Sequence, residues 1–143
     1  MRARNQPDLT GFKFLFWAAI GLLVALDIYL SVWVFWIIKI VVNPSPLQAF
    51  GIDVYNAVTS LNALDYALFT SMAVWMYVTL GLILLRSRLS LYTHAAAIVS
   101  HVTLWLRLLG NPYYSGDLGV LILPMEFLIL TLLVLLLRAG RLR

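Results

Sequence analysis

Apolar positions run along this chain in four long blocks separated by short polar breaks. The blocks are Phe14–Ile38, Tyr66–Leu85, Leu91–Leu109 and Leu118–Leu137. A hydrocarbon core about 30 Å thick is crossed by ~20 apolar residues in a helix, so each block is long enough to span a bilayer. The pattern predicts an all-α membrane protein: one four-span domain over residues 1–143, folded as a four-helix transmembrane bundle. The first block is too long for the apolar region of a signal peptide, and no small-residue cleavage site follows it, so it reads as a retained helix.

The breaks carry the punctuation such a fold needs. Asn43-Pro44-Ser45-Pro46 stops the first block, because proline removes a backbone donor and disfavours helix in the residue before it. In the outer loop that follows, Leu47, Phe50, Val54 and Val58 recur at helical spacing. That spacing predicts either a short interfacial helix or a packed loop. The second span begins near Asn62. The Arg86–Ser90 turn is tight and makes the second and third spans antiparallel neighbours. Asn111-Pro112 ends the third span, and Gly116 and Gly119 loosen the turn after it. Pro124 falls inside the fourth span, where a kink is expected.

The third block differs from the others. At 100° per residue, Thr93, His94, Ala96, Ala97, Ser100, His101, Thr103 and Arg107 occupy about half of its circumference. Leu91, Ile98, Val102, Trp105, Leu106 and Leu109 occupy the rest. Small and polar residues favour helix–helix contact in a bilayer, so the polar half is expected to face the bundle or a partner chain. The second span carries a stripe of Asn62, Asp65, Phe69, Met72, Met76 and Thr79, and methionines at that spacing read as core filler.

Charge placement fixes the orientation. The chain is 63% hydrophobic and 11% charged, with a net charge of +4, against roughly a quarter charged for a soluble domain. Arg2, Arg4 and Lys13 flank the first span. Arg86 and Arg88 lie between the second and third spans, and Arg138, Arg141 and Arg143 follow the fourth. With four spans these segments share one side. The other side has only Lys39 and Arg107, beside Asp53, Asp65 and Asp117. The positive-inside rule puts both termini in, in a bacterial or archaeal plasma membrane or, equally by this rule, a mitochondrial inner membrane. Trp17 and Tyr92 at inner ends, and Trp33, Trp36, Tyr113 and Tyr114 at outer ends, fit an interfacial belt. The basic residues flank the membrane, so they imply no nucleic-acid partner. The partners implied are the lipid bilayer and other membrane subunits or a second copy of the chain.

Candidate chemistry is confined to the spans. Asp27, His101 and Glu126 fall near the middle of three different blocks, at similar depth. A charge at the bilayer centre costs at least ~2.5–3.5 kcal/mol, so such residues need partners, water or neutralisation. If all three face inward they form a proton or cation site. The structural alternative has His101 bonded to one carboxylate while the other stays protonated, holding three helices in register. His94 lies one heptad before His101. The two are about 10.5 Å apart along the helix axis and cannot ligate one iron, so haem would need a ligand from a partner chain. Asp65 and Arg107 come near the outer surface on different helices, where an ion pair is expected as a clasp.

There is no cysteine, which excludes thiolate chemistry within this sequence. No HExxH, GxSxG or phosphate-loop motif occurs. These features favour a small accessory or anchoring subunit of a membrane complex, with no enzymatic activity, metal or cofactor of its own. The alternatives are a homo-oligomeric channel or transporter using Asp27, His101 and Glu126, and a haem-binding anchor completed by a partner.

Overall fold

The computed structural model of the chain describes residues 9–49, 51–114 and 116–143. Arg2, Arg4, Phe50 and all but the last two residues of the Met1–Thr10 tail lie outside them. The elements are helix α1 (Leu9–Val42), a short hairpin of β1 (Gln48–Ala49) and β2 (Ile52–Asp53), and helices α2 (Val54–Thr59), α3 (Ala63–Leu84), α4 (Leu89–Leu108) and α5 (Asp117–Arg138). Four of these helices, α1, α3, α4 and α5, are long and apolar enough to cross a membrane. The protein is an all-α four-helix membrane bundle.

Helix ends follow local chemistry. The Asn62 side chain caps α3 by accepting from the N–H groups of Leu64 and Asp65, and the Asp65 carboxylate accepts from the N–H of Asn62 in return. That reciprocal box satisfies donors the helix start would otherwise leave free. At the other end of α3, the Ser87 N–H donates to the carbonyl of Leu82 and the Arg86 N–H to that of Ile83. This closure puts Arg86 at φ +54, a conformation that usually falls to glycine. Helix α5 closes the same way on Gly140 at φ +67, with Arg141 donating to Leu136 and Gly140 to Leu137. Helix α5 also continues through Pro124. The carbonyl of Val120 therefore has no proline N–H to receive.

The spans pack in the cyclic order α1–α3–α4–α5, and the diagonal pairs make no close backbone approach among the described residues. Helices α3 and α4 are the closest pair. Ser71 and Ser100 share a hydrogen bond of 3.1 Å, and Thr79 and Thr93 one of 2.8 Å. Small side chains let these backbones approach, as is common between helices in lipid. The main core is built from Ala19, Leu23, Met72, Met76, Ile129, Leu133 and their neighbours. Met72, Met76 and Thr79 are buried, as the stripe on the second span predicts.

The first turns of α1 and the C-terminal segment lie on one face. The Arg88 N–H donates to the Arg143 carbonyl and the Arg143 N–H to the Arg86 carbonyl, each at 2.8 Å. The guanidinium of Arg86 stands 5.5 Å from the Phe16 ring centroid, and that of Arg141 stands 5.7 Å from Phe12. Leu142 is buried in the core. Arg86, Arg88, Arg141 and Arg143 are thus gathered at one end of the bundle, called inner below by the positive-inside rule.

Helix α1 departs most from the expected boundaries. Its 34 residues span about 51 Å, well beyond a bilayer's hydrocarbon core. The excess lies at both ends, before Phe14 and beyond Ile38, and in the outer turns Ile40 packs with Val54 and Val58 of α2 and with Trp33, Trp36 and Leu47. The helical spacing from Leu47 to Val58 is thus only partly realised as helix. Leu47 precedes the hairpin, α2 has six residues, and its apolar side faces the bundle instead of lipid. Trp33 and Trp36 belong to this outer cluster, edge-to-face at 5.3 Å. Trp17 and Tyr92 stand exposed near the inner end, at 64% and 63%, as a belt requires.

Candidate functional site

The site begins with depth. His101 lies twelve residues outward of Leu89 on α4, and Glu126 lies twelve residues before Arg138 on α5. At 1.5 Å per residue both stand about 18 Å from the inner helix ends. Adjacent helices thus bring an imidazole and a carboxyl to one level. The His101 Nδ1 and Glu126 Oε1 atoms are 2.9 Å apart. Both side chains are buried, Glu126 at 1% exposure and His101 at 8%. A hydrogen bond of that length needs one proton between the two atoms, held by either.

His94 enters the same site from the inner side. Its Nε2 lies 2.9 Å from the backbone carbonyl oxygen of Glu126. A carbonyl only accepts, so Nε2–H is the donor. Its Nδ1 has no hydrogen-bond partner, and neither does Glu126 Oε2. Both imidazoles thus converge on Glu126, His101 on its side chain and His94 on its main chain. A backbone acceptor leaves no mark in sequence, which is why this contact was not foreseen.

Asp27 does not join them. It is buried at 6% exposure, and both its carboxylate oxygens lack a hydrogen-bond partner. One turn outward on the same face of α1, Ser31 donates to the Asp27 carbonyl and shares a 2.8 Å hydrogen bond with Tyr77 of α3. Asp27 thus shares an α1 face with a residue that bonds α3, and it is not among the residues lining the cavity. Of the three ionisable residues, His101 and Glu126 are hydrogen-bonded and Asp27 is bonded to neither.

The pair closes one end of a cavity of about 90 Å³. Its walls start at Glu126, His101 and Met76 at mid-depth and continue outward to Leu108, Asn111 and Leu61 below α2. The lining is apolar and rich in aromatic rings: Tyr29, Trp33, Phe69, Trp105 and Tyr114. Trp105 is fixed by a 3.0 Å hydrogen bond from its indole N–H to the Gly116 carbonyl, and Gly119 lies directly against its ring. Trp105, on the large-residue half of α4, thus packs against the start of α5. Ile98 is likewise buried, and Thr103 is exposed, so the polar half of α4 is rotated slightly from its expected centre.

Asp65 and Arg107 form the expected clasp, with Arg107 Nε 2.7 Å from Asp65 Oδ1. Asp65 is 4% exposed, whereas the Arg107 side chain is 37% exposed. Because that guanidinium is open to solvent, the ion pair itself contributes at most about 1 kcal/mol. The capping role of Asp65 is worth a comparable ~1 kcal/mol. Asp65→Ala is therefore expected to destabilise the protein more than Arg107→Ala in thermal denaturation in detergent. An Arg107→Ala loss equal to or larger than that of Asp65→Ala would show that the ion pair, not the cap, dominates.

Among the described residues no group of three or more His, Cys, Asp or Glu side chains is placed to hold a metal ion. Comparison with protein-family models, with curated proteins and with solved structures gives no match, so function is read from the geometry alone.

Proposed function

We propose that this protein is a small proton-coupled membrane carrier whose exchanging site is the Glu126–His101 pair. The observation that carries this reading is the pair's place: buried at mid-membrane, in hydrogen-bond contact, and forming the end wall of a cavity. Ionisable groups at that depth are costly to keep in lipid and mark ion or proton pathways more often than simple packing. Histidine changes charge near neutral pH, so a histidine–carboxyl contact is suited to gaining and losing one proton. The buried Glu126 Oε2 has no hydrogen-bond partner, so the carboxyl keeps unused capacity for a proton. In this reading the chain performs no covalent chemistry.

The anchoring-subunit reading drew on the half-polar α4 as a docking face. Those groups find partners within the chain: Thr93 with Thr79, Ser100 with Ser71, and both histidines with Glu126. A haem anchor would require His94 or His101 to leave Glu126. Neither reading has a specific observation in its favour.

The test is proton movement. The protein is reconstituted into liposomes enclosing a pH-sensitive dye, and a potassium diffusion potential is imposed with valinomycin. Wild type is expected to admit protons faster than protein-free liposomes. Glu126→Gln and His101→Ala are expected to return the rate to the protein-free level, while Asp27→Asn, outside the cavity wall, retains it. A wild-type rate equal to that of empty liposomes, or one unchanged by both site substitutions, would remove the proposal.

A further inference from the structure

We propose that the cavity binds a small lipophilic organic cation, of the quaternary or protonated amine type, between the Glu126 carboxylate and the surrounding aromatic rings. The proposal rests on the proton-exchanging role of Glu126 and His101 and names the solute exchanged.

Three features of the wall select a cation. The first is the buried carboxyl. Glu126 lines the cavity's inner end at 1% exposure, and its buried Oε2 has no hydrogen-bond partner. An ionised carboxylate so placed is destabilised by loss of water, and a bound positive charge offsets that cost. An anion or a hydrogen-bond acceptor would meet its lone pairs. The second is the set of rings. Tyr29, Trp33, Phe69, Trp105 and Tyr114 come from α1, α3, α4 and the turn before α5. Aromatic faces attract alkylammonium groups, and enclosing sets of rings are the recurrent solution for quaternary amines. The third is the lack of a fixed competitor: among the described residues no lysine or arginine lines the cavity.

The same wall selects against metal ions. Calcium and magnesium need six or more oxygen ligands, whereas this lining is mostly carbon. Size narrows the class further. A cavity of about 90 Å³ is smaller than the 150 Å³ apolar cavity that accepts benzene. It encloses a trimethylammonium-sized head, with any larger substituent directed outward toward Asn111 and Tyr114.

Charge bookkeeping links the cation to the proton. With Glu126 ionised and His101 neutral, the pair carries −1, and a bound monovalent cation brings the site to zero. With one more proton the pair is itself neutral and holds no cation. Both filled states avoid the cost of net charge at this depth, so proton and cation compete for the one site. The other groups around Glu126 keep this count. Tyr114 lies outside the spans, and burial, with the neighbouring Tyr29, pushes its hydroxyl up to about 12, so it stays uncharged. Tyr29 projects from α1 into the cavity wall. His94 of α4 bonds the Glu126 carbonyl from the inner side. Asp27 of α1 lies at similar depth but outside the cavity lining.

The test uses the full-length protein in detergent, with phenyltrimethylammonium as probe and tert-butylbenzene as its uncharged isostere. Binding is followed by calorimetry in buffers of different ionisation enthalpy. The cation is expected to bind roughly tenfold or more tighter at about pH 8 than at about pH 5, releasing about one proton, whereas the isostere binds weakly at both. Glu126→Gln should remove the preference for charge. Phe69→Leu, which keeps the carboxyl, should weaken the cation more than the isostere. An isostere that matches the cation in wild type, or a cation affinity independent of pH, overturns the proposal without relying on any variant. The liposome assay contains no organic cation. Proton flux without cation binding would therefore overturn the solute and leave the proton site standing, and pH-linked binding without flux would do the reverse.

Discussion

Replacing His101 with leucine destabilises the bundle by roughly 1–3 kcal/mol, the usual cost of leaving a buried polar group without its partner. The argument turns on what remains. Among the described residues His101 alone hydrogen-bonds the Glu126 carboxyl, so His101→Leu leaves both oxygens without a partner in a wall of apolar side chains. Glu126→Leu strands His101 Nδ1 in turn. It leaves the His94 bond intact, because that bond goes to the backbone carbonyl of residue 126. Replacing both partners removes both orphans. Buried pairs exchanged for apolar residues of similar volume are often neutral or more stable. The double variant is therefore expected to lie near wild type, well above either single one. A double-mutant cycle by unfolding in mixed detergent reads the coupling directly. If the two single losses simply add, the two side chains do not interact and the pair is not a unit. A near-wild-type double variant that has lost proton flux would separate the site's function from its part in the fold.

The spans were legible in the sequence because lipid thickness imposes a length threshold that few other constraints share. Their ends were less so. Helix α1 runs past Ile38 to Val42, since its outer turns are buried beneath α2, a tertiary contact with no local signature. Counting residues put Asp27, His101 and Glu126 at similar depth and left open which carboxyl His101 would bond. Depth is a matter of counting, whereas the direction a side chain faces depends on helix rotation, which neighbouring packing sets. That is why the choice of Glu126 over Asp27 was not legible. The docked C-terminal segment carried a signal that went unread: Gly140 in the left-handed region ends α5, and Leu142 two residues later returns to the core.

A methyl group added at Gly119 is expected to have the next largest effect. Its Cβ would overlap Cδ1 and Nε1 of Trp105, closer than any real contact. The indole is held by its bond to the Gly116 carbonyl, so it cannot turn aside without giving up that donor. Gly116 cannot easily follow, because its φ of +80 is one that only glycine adopts freely. Overpacking of this kind costs about 1–3 kcal/mol. Gly119→Ala should therefore lower the unfolding midpoint in detergent and shift the Trp105 emission to longer wavelength as the ring moves toward a wetter position. Gly81→Ala, in a helix with nothing within 4 Å of the new methyl, is the control and should be neutral or slightly stabilising. Trp105→Leu combined with Gly119→Ala should recover much of the stability, since the smaller side chain leaves room for the methyl. It should not recover cation binding, because the ring that walls the cavity is gone. If Gly119→Ala proves as harmless as Gly81→Ala, Trp105 is not seated against α5, and the outer wall of the cavity must be drawn elsewhere.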